Sequence, residues 1–342
     1  AARTRLEDLF DLAPAALACD VHPSYLSGQW AREQARKCNL PLVEVQHHHA
    51  HIASVMAEAI AAGQLTTDAR VLGIAFDGTG AGTDGTIWGG EFLISRLADF
   101  ERVAHLRTWA LPGGAASVHD ARRNAFALLS ELDLLEHPGA ARLLGTLDEQ
   151  TRSVTTTMIE RGINSPRTSS MGRLFDAAAA ILGICGQATY EGEPAIELEA
   201  AARRAFDSEI ARFPDDSAGY SASDPSWLDG PYVLDQKALF EALLEEIEAG
   251  APADRLALDF HVAVARSSAH IASDICVREG IDTVALSGGV FMNRLLLQLL
   301  TRELKSAGLA VLVPHTVPVN DGCIAYGQAA VASARLAQIA SQ

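Results

Sequence analysis

The sequence predicts an α/β protein with two lobes, each built of alternating strands and helices, and three observations support this. Near the N-terminus, short segments rich in Val and Leu alternate with helical segments, as in layered α/β domains. The chain then becomes mostly helical, and its last third returns to alternating strands and helices. In each α/β part a predicted strand runs into a Gly-rich turn, at residues 77–85 and at residues 287–289.

Length and composition limit the possible architectures. The 342 residues suggest roughly two domains, and a hydrophobic content of 49% is enough for a sizeable core. We place the first lobe at residues 1–112 and the second at 113–342, with a helical insertion at about 113–230. The final helix is expected to return to the first lobe. The absence of an initiator Met suggests a part of a longer chain.

Charge and cysteine usage indicate the cellular setting. The net charge of −16 disfavours a phosphate backbone as partner, so we expect no nucleic acid. No apolar run approaches the roughly 20 residues of a membrane span, and no signal peptide is recognisable. The five cysteines form no Cys-x-x-Cys pair, which favours a reducing cytoplasm over a disulfide framework.

Four histidines lie where a short predicted strand meets a helix. His47 and His51 are four residues apart, so on a helix both imidazoles share one face and can reach one metal ion. The alternative is a solvated polar patch at the helix start.

A second candidate site is the Gly-rich turn at 77–85. It follows the buried-type strand Val71–Phe76 and precedes a strand at 86–94, which together predict a β-hairpin. Glycines let backbone N–H groups approach a phosphate closely, whereas a tight turn without ligand needs fewer of them. The candidate nucleotide contacts in this turn are Gly78, Thr79, Gly80 and Gly82.

The last third of the chain offers a matching turn. Ser287, Gly288 and Gly289 lie between a strand and a helix, where backbone donors and the positive helix end suit a nucleotide. The alternative is a steric Gly pair where helix meets sheet. We expect the nucleotide in a cleft between the lobes, with ribose hydroxyls donating to Asp176 and to Glu193 or Glu197, unless these carboxylates belong to a solvated helix face.

Two carboxylates are placed to complete a metal site. Asp77 and Asp321 both follow predicted strands, and either could add to His47 and His51. Two imidazoles with carboxylates suit Zn²⁺ or Fe²⁺. Because no Ser-His-Asp or Cys-His arrangement is recognisable, we expect catalysis through the metal held by His47, His51 and Asp77.

Six motifs in order carry a family resemblance. They begin at residues 45, 76, 169, 190, 286 and 320 and read VQHHHAH, FDGTG, SSMGRLFD, YEG, LSGGVFMN and NDG. Together they resemble the C-terminal part of the HypF-type carbamoyltransferases of hydrogenase maturation, as does Asp20-Val21-His22-Pro23. The resemblance covers almost the whole chain.

The resemblance implies a sugar kinase/Hsp70/actin-type (ASKHA) fold with an interlobe nucleotide cleft. It implies that His47, His51, Asp77 and Asp321 bind the metal, and that the Gly-rich hairpin and the Ser-Gly-Gly turn hold ATP or carbamoyl-adenylate, with or without Mg²⁺. It also adds Gly172 and Asn293 to the nucleotide contacts.

The implied activity is carbamoyl transfer from carbamoyl-adenylate to the C-terminal cysteine of HypE, which leads to the cyanide ligand of [NiFe] hydrogenases. Upstream domains of the family, including the YrdC-like domain that makes carbamoyl-adenylate, are not recognisable in these 342 residues. The alternatives are a small-molecule O-carbamoyltransferase and a non-catalytic nucleotide- and metal-binding module that docks HypE.

The sequence departs from the family pattern in the helical insertion. Ala115 stands where Asp is expected after Pro-Gly-Gly, and residues 120–123 read DARR in place of EPWR. Glu193-Pro194 replaces an expected Gln-Ala. These departures affect the expected substrate contacts of the insertion and leave the metal and glycine motifs intact.

Overall fold

The structure is a computed structural model that describes residues 2–208 and 231–340. Residues 213–232 are rich in Asp, Ser, Pro and Gly, which predicts an exposed loop, and almost all of them lie outside the described residues. Among the residues described, no helix is both long and apolar enough to cross a membrane.

The N-terminal part alternates helices and strands, as the sequence predicts. Its elements are α1 (Ala2–Phe10), β1 (Leu17–Asp20), α2 (Leu26–Cys38), β2 (Leu42–Val45) and α3 (His47–Ala61). Strands β1 and β2 pair in parallel, with Asp20 opposite Val45. Because α3 begins two residues after Val45, this register brings the Asp20 carboxylate beside the first histidine of α3.

A meander of three strands follows. It consists of β3 (Val71–Phe76), β4 (Gly90–Ser95) and β5 (Phe100–Leu106). Strands β3 and β4 are antiparallel, which confirms the predicted hairpin. Every residue of β3 is buried, and an unbroken apolar run is what burial on both faces requires.

The middle of the chain is mostly helical. Its elements are β6 (Trp109–Ala110), α4 (Ala115–His119), α5 (Ala121–Glu131), α6 (Ala141–Gly145), α7 (Glu149–Arg161), β7 (Arg167–Thr168), α8 (Met171–Ile181) and α9 (Glu193–Ser208). Helix α8 is buried along its whole length, and its four consecutive alanines allow neighbours to pack closely around it. Ser170 caps α8 by accepting a hydrogen bond from Arg173 N at 3.2 Å, a role that serine commonly has at helix starts.

The last third returns to α/β structure. Its elements are β8 (Tyr232–Leu234), α10 (Lys237–Glu248), α11 (Ala253–Glu279), β9 (Thr283–Ser287), α12 (Arg294–Ser306), β10 (Ala310–Leu312) and α13 (Ile324–Ala340). Six of the described strands form one sheet in the order β10-β9-β3-β4-β5-β8, while β6 and β7 pair separately, as β1 and β2 do. Strands from both sides of residue 112 therefore share one sheet, and the lobe boundary proposed there stays a prediction.

The last helix of the chain contacts the helix that carries the histidines, as well as strands β1 and β2. Helix α13 packs on α3, and at Gly327 an added Cβ would lie only 1.9 Å from the carbonyl oxygen of Ala50. Only glycine permits this approach, so the last helix is held close to the helix that carries the histidines.

Candidate metal centre

Four predicted ligands meet where β3 ends and α3 begins. His47 Nε2 lies 3.2 Å from Asp77 Oδ2 and 3.6 Å from Asp321 Oδ1. His51 Nε2 lies 3.4 Å and 3.5 Å from the same two oxygens. The four ligand atoms all lie within 4.8 Å of one another.

These separations fit a small divalent ion. Nitrogen and oxygen ligands about 2.0–2.1 Å from a tetrahedral Zn²⁺ are about 3.3 Å apart, which is close to the four measured separations. His51 Nε2 is buried without a hydrogen-bond partner among the described residues, as expected of a nitrogen that faces a metal. Two imidazoles and two carboxylates also suit Fe²⁺.

The centre has one open side. The side chains of His47, His51 and Asp77 are at most 8% exposed, whereas that of Asp321 is 72% exposed. A substrate can therefore approach from the side of Asp321.

Hydrogen bonds fix which nitrogen of each histidine faces the centre. His47 Nδ1 donates to Asp20 Oδ2 at 3.0 Å, which leaves the Nε2 lone pair for a metal. His51 Nδ1 lies 3.3 Å from both Ser287 Oγ and Cys323 Sγ, which orient the second ring in the same way. The Asp20-Val21-His22-Pro23 motif drew attention to Asp20, but no sequence pattern predicted that Asp20 and Cys323 would contact these histidines.

Asp77 is held by both Gly-rich turns. Its Oδ1 accepts from Gly78 N at 2.8 Å and from Gly289 N at 3.1 Å, so that Oδ2 faces the histidines. Ser170 Oγ donates to the carbonyl oxygens of Asp77 and Gly78 at 2.9 and 2.8 Å. The start of α8 thus supports the same loop.

In the metal-free cluster the carboxylates favour protonated histidines, and the histidines favour ionised carboxylates. Burial opposes protonation of His47, but hydrogen bonds to Asp20, Asp321 and Asp77 outweigh it and raise the pKa of His47 to about 12. Against the same burial, Asp321 and Asp77 raise the pKa of His51 to about 10. Burial would raise the pKa of Asp77, but the two histidines hold it well below its usual range. The nearby imidazoles of His47 and His51 likewise lower the pKa of Asp321.

Several of the predicted nucleotide glycines have packing roles. A Cβ on Gly80 would lie 2.4 Å from the His48 ring, and one on Gly82 would lie 2.2 Å from Trp88. Gly288 has a φ of +111°, and its Cβ would lie 2.2 Å from the carbonyl oxygen of Phe76. These contacts explain the glycines without a ligand, and their nucleotide contacts stay predictions.

The remaining turn residues differ in exposure. Gly78 is only partly buried and Thr79 is exposed beside Asp77. Gly172 packs against Gly78, whose Cα lies 2.9 Å from the position that a Gly172 Cβ would take.

The predicted ribose acceptors differ in their surroundings. Asp176 is 1% exposed and lies 3.0 Å from Arg173, and burial raises its pKa to about 6. Glu193 accepts from Thr189 Oγ1 at 2.8 Å within its own turn, while Glu197 is exposed on α9. Asn293 caps α12 and donates to His261 Nε2 at 2.8 Å.

Two family descriptions match the sequence. "Carbamoyltransferase, Kae1-like Domain, second subdomain" matches residues 73–328, and "HypF Kae1-like domain" matches residues 1–58.

Curated relatives agree. A carbamoyltransferase HypF homolog of Cupriavidus necator is 41% identical over 96% of this chain and 81% of its own length. Carbamoyltransferase HypF of Rhodobacter capsulatus is 36% identical over 96% of this chain but only 40% of its own length.

Two solved HypF structures are also similar to this chain over nearly its whole length. A full-length HypF in its phosphate- and nucleotide-bound form matches with a TM-score of 0.84 and 36% identity, over 97% of this chain and 48% of that one. HypF of T. kodakarensis matches with a TM-score of 0.78 and 34% identity, over 94% of this chain and 40% of that one. These matches confirm the predicted fold class and the resemblance to the C-terminal part of HypF. The chain spans less than half the length of both solved proteins.

Proposed function

The chain belongs to the HypF carbamoyltransferase family, and from this premise we propose that it transfers a carbamoyl group from carbamoyl-adenylate to the C-terminal cysteine of HypE. The family confirms the predicted class of enzyme. The thiol acceptor and the adenylate donor are the parts of the proposal that need a direct test.

The observation that carries the proposal is the cluster of His47, His51, Asp77 and Asp321. Its spacing, its buried unpaired nitrogen and its open side suit an ion that contacts a substrate. When bound, a divalent ion supplies Lewis-acid polarisation of a carbonyl or phosphoryl oxygen.

The protein's own residues hold the four candidate ligands in position. Asp20 holds the proton of His47 at Nδ1, while Ser287 and Cys323 keep His51 in the matching orientation. Gly78 N and Gly289 N fix the Asp77 carboxylate. In the transfer, the attacking sulfur forms a bond to the carbamoyl carbon, the bond from that carbon to the phosphate oxygen breaks, AMP leaves, and the thiol proton is released.

Two observations support a nucleotide beside this centre. The solved full-length HypF is described in a nucleotide-bound form. In this chain, the partly exposed Gly78 and exposed Thr79 border the metal ligands, so their backbone can approach a phosphate. ATP or carbamoyl-adenylate is the proposed occupant.

The test supplies carbamoyl-adenylate and a HypE with an intact C-terminal tail, and detects the carbamoylated cysteine by mass spectrometry. Wild-type chain should give product. His47→Ala, Asp77→Asn and Asp321→Ala should lower the rate at least about 100-fold, since each removes a ligand. His270→Ala, an exposed histidine on α11, is the matched control and should leave the rate unchanged.

Two other outcomes would redirect the assignment. Assayed by itself with carbamoyl phosphate and ATP, the 342-residue chain should give no product, and product there would refute the need for a separate activating domain. Binding of HypE without any transfer from carbamoyl-adenylate would favour the docking-module alternative.

A further inference from the structure

One carboxylate holds the segment that leads from β10 to the ligand Asp321. Glu58 Oε1 accepts from the backbone N–H groups of His315 and Thr316, both at 2.8 Å, and its Oε2 accepts from Val317 N at 3.2 Å. Consecutive N–H groups that converge on one anion form a specific anchor, and hydrogen bonds to an ionised acceptor are the stronger kind. Burial opposes ionisation, but these backbone bonds outweigh it and lower the pKa of Glu58.

Glu58 lies on the same helix as the two histidines. It follows His51 by seven residues, about two helical turns, so both side chains project from one face of α3. Helix α3 therefore carries two metal ligands near its start and, near its end, the acceptor for the segment that brings the fourth ligand.

The fourth ligand is the one that most needs such support. Its carboxylate is 72% exposed, so it lacks the packing that holds the other three in place. Its position depends on the backbone before it, which has a second anchor where Gly288 N donates to Val319 O at 3.0 Å. Glu58 fixes one end of this segment and Gly288 fixes the other.

We propose that Glu58 is a positioning residue of the metal centre, which acts through residues 315–317 to hold Asp321 in reach of His47 and His51. The proposal rests on the proposed metal site and goes beyond it, since Glu58 touches no ligand. A carboxylate that merely joined a helix to a loop would affect stability without a specific effect on the ion.

The experiment measures Zn²⁺ affinity by competition with a chromophoric chelator. Four proteins are compared: wild type, Glu58→Gln, Asp321→Ala and the double variant. Glutamine keeps the shape of Glu58 but loses the charge and turns an NH₂ group toward one N–H donor. Glu58→Gln should raise the dissociation constant about 10- to 100-fold, the usual effect of an outer-shell change.

The double variant separates the two explanations. If Glu58 acts through Asp321, then Glu58→Gln should add nothing in the Asp321→Ala background. Glu33→Gln, an exposed glutamate paired with Lys37 on α2, is the matched control and should bind as wild type does. Circular dichroism confirms folding. If Glu58→Gln fails to fold, Glu58→Asp replaces it, because a shorter side chain keeps the charge but withdraws from the three N–H groups.

Each result bears on the proposal differently. Wild-type affinity in Glu58→Gln, together with weak binding in Asp321→Ala, would overturn the role of Glu58 and leave the metal site standing. Equal losses from Glu58→Gln in both backgrounds would place its effect outside Asp321 and also overturn it. Absence of Zn²⁺ binding by the wild type would overturn the metal site and this proposal together.

Discussion

Single residues decide which atoms face the candidate centre. His47 and His51 were predictable as a pair because helical spacing alone puts them on one face. Asp77 and Asp321 were predictable from their positions after strands. Asp20 and Cys323 were not assigned, because their contacts depend on how strands and helices far apart in sequence are brought together.

Loss of either imidazole should remove most metal binding. Purified wild-type protein is expected to hold about one Zn²⁺ or Fe²⁺ per chain, and His51→Ala should weaken binding at least about 100-fold, because it removes one of the four proposed ligands. Elemental analysis after dialysis measures this. His270→Ala serves as control, and equal metal content in wild type and His51→Ala would contradict the assignment.

Metal affinity should rise with pH well above neutrality. The ordinary histidine pKa of 6.5 would place the loss of binding near that pH, but the carboxylates raise the pKa of His51 to about 10 and that of His47 to about 12. Both imidazoles are then protonated in the metal-free protein at neutral pH, so binding should release about two protons. Calorimetry in buffers of different ionisation enthalpy counts them. An affinity that no longer changes above about pH 7.5 would show ordinary pKa values instead.

The same shifts predict the pH range of the metal-free fold. A raised histidine pKa contributes stability that is complete below pH 6.5 and is lost as the pH rises through about 10. A lowered carboxylate pKa contributes stability that is present above 3.8 and is lost as the pH falls. The cluster therefore stabilises the metal-free protein fully between about pH 3.8 and 6.5, and this contribution disappears as the pH rises through about 10. Chemical unfolding at several pH values measures the contribution.

At the scale of elements, most helices and strands could be predicted from sequence pattern, and the exceptions have local causes. The strand predicted at 86–94 begins at Gly90, because Ile87 forms isolated bridges to Ala81 and Thr168 and does not join the ladder of β4. The sequence pattern predicts a helix over 292–307, and the observed helix begins at Arg294, after a 3₁₀ turn at Gly289–Met292.

The contact between α13 and α3 should control both stability and metal binding. In Gly327→Ala the new Cβ would meet the Ala50 carbonyl oxygen, so the helices must separate, and overpacking of this kind costs about 1–3 kcal/mol. Asp321 lies just before α13, so Zn²⁺ affinity should fall as well. Thermal unfolding and chelator competition measure the two effects.

Gly145→Ala is the control for this change. It also replaces a helical glycine, but its Cβ would meet nothing within 4 Å. It should be neutral or slightly stabilising, since alanine is the better helix former. Equal melting temperatures for the two variants would show that the close helix contact does not form.

For the whole molecule, the alternation of strands and helices and the order of the motifs were enough to predict the fold class. The pairing within the sheet was not predictable, because β3 joins β9 across more than 200 residues and no local pattern specifies that partner. The structural role of Gly288 in the site was likewise not predictable from the sequence. Its sequence context is a Gly-rich turn, whereas its structural role is contact with the carbonyl of Phe76. Gly288→Val would therefore disturb the sheet and cannot serve as a clean probe of nucleotide binding.

The candidate ligands come from both early and late parts of the sequence, which bears on when the centre can form during synthesis. Cys323 and His51 touch although they are 272 positions apart, and Asp321 joins the cluster from the same late segment. A growing chain on the ribosome presents His47, His51 and Asp77 long before the residue that completes the set. In the proposed metal site, full loading would therefore wait until β10 and α13 have been synthesised and docked. The ion would thus be acquired late, by chains in which α13 has already packed on α3.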